Sequence, residues 1–189
     1  MRNQKIISVY FSGFLVGITL VLFPAAGSIL TNVDFHGFTS SQFGSIFIPQ
    51  IVVAIITSLS APKIASKLSM KLVMIFGLMA LMMANICLAA SHFFMAGNLD
   101  YWLVMLGTSF LGAGFGFTIT ALNPFAYNLF PGKETSAVTA MHILLGAGTA
   151  SAALFLNYFV NIGSWYVACL LYTSPSPRDA TLSRMPSSA

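Results

Sequence analysis

Hydrophobic positions along this chain form long unbroken runs. They do not show the period-2 or period-3.6 alternation of half-buried strands and surface helices. Five runs reach the ~20 apolar residues that a helix needs to cross a bilayer: 6–30, 42–61, 71–94, 101–129 and 136–160. A sixth begins at 164 and stops at 171, which is ~12 Å of helix against a ~30 Å hydrocarbon core. The pattern predicts an all-α polytopic membrane protein with five complete spans and a truncated sixth. The first run opens with Arg2 and Lys5 and holds small residues at Ala25, Ala26 and Gly27, as a signal peptide would. Its apolar stretch is longer than the roughly 7 to 15 residues of such a peptide, and four more runs follow, so it reads as a span.

The connecting segments add an orientation. Arg2 and Lys5 precede the first span, Lys63, Lys67 and Lys71 surround the connection between the second and third, and Lys133 sits between the fourth and fifth. The alternate connections, 31–41, 95–100 and 161–163, contain no Lys or Arg. Basic residues stay on the cytoplasmic side, so the expectation is a cytoplasmic amino terminus and outward-facing loops carrying Asp34, His36, His92 and Asp100. Phe93, Phe94, Tyr101 and Trp102, and then Trp165 and Tyr166, mark the outer headgroup depth, and Tyr127 and Phe130 the inner one.

Composition agrees. Hydrophobic residues make up 57% of the chain and charged residues 6%, against about 25% charged in a soluble domain. So little charge cannot solvate a surface of this size, and lipid is the expected partner. The net charge of +4 is spread along the chain, which argues against a nucleic-acid partner, since that needs a clustered basic face. Cys87 and Cys169 lie in apolar stretches with no metal or redox spacing. No cofactor or metal is expected. From residue 172 the composition changes. Residues 172–189 bring Pro175, Pro177, Pro186, Arg178, Asp179, Arg184 and five serines. The string from Leu170 to the end resembles translated sequencing-adaptor sequence, so 172–189 are expected to be a non-native or disordered tail.

Three segments carry a resemblance. The connection Ala61-Pro62-Lys63-Ile64-Ala65-Ser66-Lys67-Leu68-Ser69-Met70-Lys71, followed by Gly77, has the length and basic character of a Gly-x-Leu-x-Asp-Arg-x-Gly-Arg-Arg/Lys loop. Its glycine positions hold Ala61 and Leu68, and its acidic position holds Ala65. The fourth span repeats small residues every four positions, at Thr108, Gly112, Gly116 and Thr120, and such a stripe lets helix backbones approach closely. The stretch 122–150 places Asn123, a Phe130-Pro131-Gly132 turn, His142 and then Gly146 and Gly148 in order, and Gly163 to Tyr166 opens the sixth run. Together, over 6–171, these are similar to the amino-terminal half of a major facilitator superfamily transporter. The fucose-permease-like and general sugar-porter branches are nearest in feel. The resemblance implies two three-helix units in inverted orientation, a bacterial inner-membrane location, and a solute cavity lined by the first, fourth and fifth spans. It also implies a carboxy-terminal half as partner, without which the fragment is not expected to transport.

On that resemblance the substrate-binding candidates are Asn123, Tyr127, His142, Thr19 and Ser12. Asn123, Asn85 and Asn157 are expected to be buried amides; Asn123, Tyr127 and His142 rank above Asn85, and Thr19 and Ser12 are weaker. His142 is the one ionisable group well inside a span, and such residues are functional hypotheses by default. Gly146 and Gly148 join the fourth-span stripe as helix-packing residues, and Lys63, Lys67 and Lys71 mark the inner loop. Pro24, Pro49 and Pro124 are expected to loosen their helices. The chain shows no His-Glu-x-x-His, no Gly-x-Ser-x-Gly and no paired intramembrane aspartates, so an intramembrane hydrolase is disfavoured. The expected function is transport of a sugar-like or organic solute by alternating access. A drug or metabolite efflux carrier and a non-transporting membrane subunit are the alternatives.

Overall fold

A backbone in lipid must satisfy its own N–H and C=O groups, so long apolar runs become helices. The computed structural model describes residues 2–95, 97 and 99–171, with side chains from residue 6 onward. The expected tail at 172–189 lies outside the described residues. Those described form helices without any strand. In order they are α1 (Arg2–Ala25), α2 (Gly27–Leu30), α3 (Ser40–Ser45), α4 (Phe47–Lys67), α5 (Met70–Ser91), a 3-10 turn (His92–Phe94), α6 (Leu99–Leu129), α7 (Glu134–Asn161) and α8 (Trp165–Leu171). Five segments among them are long and apolar enough to cross a membrane: Ile6–Leu30, Ser40–Lys67, Met70–Phe94, Leu99–Leu129 and Glu134–Asn161. The second outruns its apolar pattern, because a helix need not stop where hydrocarbon does. It continues through Pro62 to Lys67.

Local signals set most of the breaks. Pro49 lacks the N–H that would close on the Ser45 carbonyl, and the helix divides at Ile46 between α3 and α4. Pro24 precedes the turn at Ala26 that separates α1 from α2. Pro124 does not interrupt α6, which runs through it for 31 residues. Thr39 caps α3 with a capping box, its hydroxyl accepting from the Gln42 N–H at 3.2 Å while Gln42 Oε1 accepts from the Thr39 N–H at 2.9 Å. Ser69 caps α5 by accepting from the Leu72 N–H. Gly132, with φ +83°, makes the turn between α6 and α7 and donates its N–H to Glu134 at 2.6 Å.

Two glycine-lined crossings organise the packing. α1 lies mainly against α7, and α6 lies against both α4 and α5. On α1, a Cβ at Gly17 would overlap the Leu145 carbonyl, and one at Gly13 would meet Met141 at 3.3 Å. Facing them, a Cβ on Gly148 would overlap the Phe14 carbonyl. On α6, a Cβ at Gly112 would overlap the Gln50 carbonyl, and one at Gly116 would overlap the Thr57 hydroxyl and come within 2.8 Å of the Ala54 carbonyl. In each crossing two glycines four apart meet partners four apart. Around them the core collects fully buried Val16, Leu22, Phe23, Met74, Leu88, Leu111, Leu122 and Met141.

The molecule has two distinct ends. Tyr10, near the start of α1, donates to the Ala137 carbonyl at 3.1 Å and lies 6.2 Å from the Phe130 ring. That end also holds the α4–α5 turn with Lys63, Lys67 and Lys71, and Lys133 ahead of α7. The opposite end gathers the 31–39 connection, the end of α5 and the starts of α6 and α8, and holds Asp34, His36, His92 and Asp100.

Candidate functional site

Helix phase decides what each candidate side chain meets. On α6, Thr120, Asn123 and Tyr127 follow one another at spacings of three and four. Thr120 and Asn123 are half-buried and Tyr127 is exposed. The Thr120 hydroxyl donates to the Gly116 carbonyl at 2.8 Å. Asn123 Oδ1 is buried without a hydrogen-bond partner among the described residues, so that amide has acceptor capacity left to offer. On α7, His142 and Asn157 lie on an exposed side together with Gly146, Ala150 and Ala153. A Cβ at Gly146 would meet nothing within 4 Å. Ser12 and Thr19 sit instead in the packed interior, each 3% exposed. Thr19 is bonded to its own helix through the Leu15 carbonyl at 3.0 Å, and Thr108 likewise through Met105 at 2.8 Å. Asn85 on α5 is buried and its Oδ1 has no partner among the described residues. Lys63 and Lys67 are exposed, and Lys71 is half-buried at the start of α5.

A second polar group forms at the opposite end from the lysines, where the sequence offered only separate loop residues and interfacial aromatics. His36 from the 31–39 connection reaches Ser91 at the end of α5, with Nε2 and Oγ 2.9 Å apart. Its ring meets Phe38 and Trp165 edge-on, at 5.4 and 5.7 Å between centroids. His92 packs on the other rings of α8, edge-on to Trp165 at 5.5 Å and stacked on Tyr166 at 4.5 Å. Asp100 is buried in the first turn of α6 and accepts from the Tyr101 N–H at 2.7 Å. The Tyr101 hydroxyl in turn lies 3.1 Å from Ser45 Oγ. A cleft of about 240 Å³ lined by His36, Phe38, Gln42, Asp100 and Tyr101 opens beside the group. Burial pushes the His36 imidazole below the usual histidine range; the Asp100 carboxylate pulls it back up and His92 pushes it down further.

Nothing in the spacing of these residues announces the cluster. His36 and Ser91 are 55 positions apart, and only the alternation of spans, which brings every second connection to one end, hints that they could meet. The chain matches no protein-family model, curated protein or solved structure.

Proposed function

We propose that residues 6–171 are the five complete spans and the start of the sixth of one six-helix half of a carrier of the major facilitator type, which moves a small sugar-like or organic solute by alternating access. The observation that carries this reading is the repeated glycine crossing. Inverted repeats exchange the first span with the fourth and the second with the fifth. Gly13 and Gly17 of α1 meet Met141 and Leu145 of α7 as Gly112 and Gly116 of α6 meet Gln50 and Ala54 of α4. One constant offset in number relates the two glycine pairs, and a second relates their partners. α1 starts at the lysine end and α6 at the His36 end, so the two copies run in opposite directions. Spacing of four is common to close helix crossings; what favours the repeat is that the elements paired and their opposite directions match the exchange of first with fourth and second with fifth spans.

On this reading the lysine end faces the cytoplasm. The solute meets the partly exposed sides of α6 and α7, where Asn123, Tyr127 and His142 offer hydrogen bonds on an otherwise apolar wall. The second half of the cavity comes from a carboxy-terminal six-helix unit. The test is solute uptake into proteoliposomes holding both halves. Saturable uptake of a sugar or organic solute is expected, and Asn123→Ala should lower it about tenfold, the effect of losing one buried hydrogen bond. Saturable uptake by residues 1–189 alone would overturn the half-carrier reading.

A further inference from the structure

The His36 group takes no part in the solute face, yet it ties four elements together at one point. The Ser91 hydroxyl has one hydrogen and gives it to the Leu88 carbonyl at 2.7 Å. With that hydrogen assigned to Leu88, Ser91 Oγ accepts from His36, which assigns the hydrogen of their 2.9 Å bond to His36 Nε2. A neutral ring protonated on Nε2 leaves Nδ1 bare. Nδ1 is buried and has no partner among the described residues.

We propose that His36 is an acid-sensitive latch: while neutral it holds the 31–39 connection against Ser91 and Trp165, and taking up a proton on Nδ1 releases it. The added proton would create a buried cationic N–H without an acceptor, which is costly. The groups around the ring are Ser91 of α5, His92 of the 3-10 turn, Asp100 and Tyr101 of α6, and Trp165 of α8, with Asp34 exposed on the same connection. Of these only Asp100 pulls the ring toward its charged form. Burial and His92 oppose it, and burial is the larger effect. A released His36 titrates near the usual value of about 6.5. The closed state therefore binds the proton more weakly than the open one. Linkage then fixes the sign: the latch is fully held above about pH 6.5 and loosens as pH falls toward the lower value of the closed ring.

Other ties on the connection leave room for this motion. The Phe38 N–H donates to the Leu30 carbonyl at 2.8 Å, and Phe38 is buried against Tyr101 at 5.4 Å. Those contacts hold its two ends. His36 is the residue that reaches across to α5 and α8, and Trp165, 2% exposed, lies under it.

Trp165 reports the latch. Trp102 is 62% exposed, and Trp102→Phe leaves Trp165 as the single indole in the full chain. Acrylamide quenching of this variant in nanodiscs is expected to be weak at about pH 7.5. It should rise about threefold or more by about pH 5, as a shielded ring becomes open to solvent. His36→Gln in the same background can still donate to Ser91 but takes no proton, so quenching should stay weak at both values. His92→Gln should keep the acid response. Ser91→Ala removes the acceptor and should raise quenching already at about pH 7.5. Quenching that ignores pH in the parent, an acid response retained in His36→Gln, or no effect of Ser91→Ala each overturns the proposal. If His36→Gln does not fold, the parent titration and Ser91→Ala decide it. No solute flux enters these measurements, so their outcome is separate from that of the carrier reading.

Discussion

Gly17 and Gly146 look alike in an apolar sequence and differ entirely in what surrounds them. A Cβ on Gly17 would overlap the Leu145 backbone, whereas one on Gly146 enters open space. Backbone cannot step aside as a flexible side chain can. Gly17→Ala should therefore destabilise the bundle by ~1–3 kcal/mol, and Gly146→Ala should stay within ~0.5 kcal/mol, both measured by denaturant unfolding in micelles. Gly146 and Gly148 stand two residues apart, hence on nearly opposite sides of α7, so both could not serve one crossing. Only Gly148 meets α1. The hydroxyls teach a related lesson. Ser12 and Thr19 suit a polar cavity by residue type, but Thr19 spends its hydrogen on its own helix, a local option that these side chains always have. The residue-level candidates were legible in the sequence as polar groups in apolar spans. Their burial was not.

At the scale of the element, α4 and α5 are both apolar and are used differently. Half of the most hydrophobic stretch of the third span is buried inside the protein, against 11% of the second. Ile51, Ile55 and Leu59, at i, i+4 and i+8 on α4, are 60, 55 and 78% exposed. If that stripe faces lipid, Ile55→Lys should cost ~2.5–3.5 kcal/mol of insertion and lower the membrane-integrated yield in a translocon assay. Ser66→Lys, beside Lys67 at the helix end, should leave the yield unchanged. The helix starts lie just ahead of the apolar runs, where Thr39 and Ser69 accept from the Gln42 and Leu72 N–H groups, and Thr39→Ala should cost about 1 kcal/mol in unfolding. The prolines were legible only in part. Pro49 divides its helix and Pro124 does not. A proline removes a hydrogen bond wherever it stands, and the packing around it decides whether the helix gives way.

Over the whole molecule, the lysines gather at one end, with Glu134 beside Lys133, and Asp34 and Asp100 lie at the other together with His36 and His92. This separation was readable before any packing was known, because spans of bilayer length alternate direction. A single cysteine replacing Val33, which is 85% exposed, should react with an impermeant thiol reagent added outside cells, and one replacing Gly132 should react only after permeabilisation. The reverse pattern would invert the orientation. By itself the sequence determined the helical class, the number of long apolar segments and the asymmetry of charge. Those depend on local composition measured against the thickness of a bilayer. It did not determine which face of each helix meets which neighbour, for a helix apolar on every side carries no stripe to point its core face inward. The tertiary structure alone set Gly17 on Leu145, left His142 exposed, and brought His36, Ser91 and Trp165 from three distant stretches of chain into one contact.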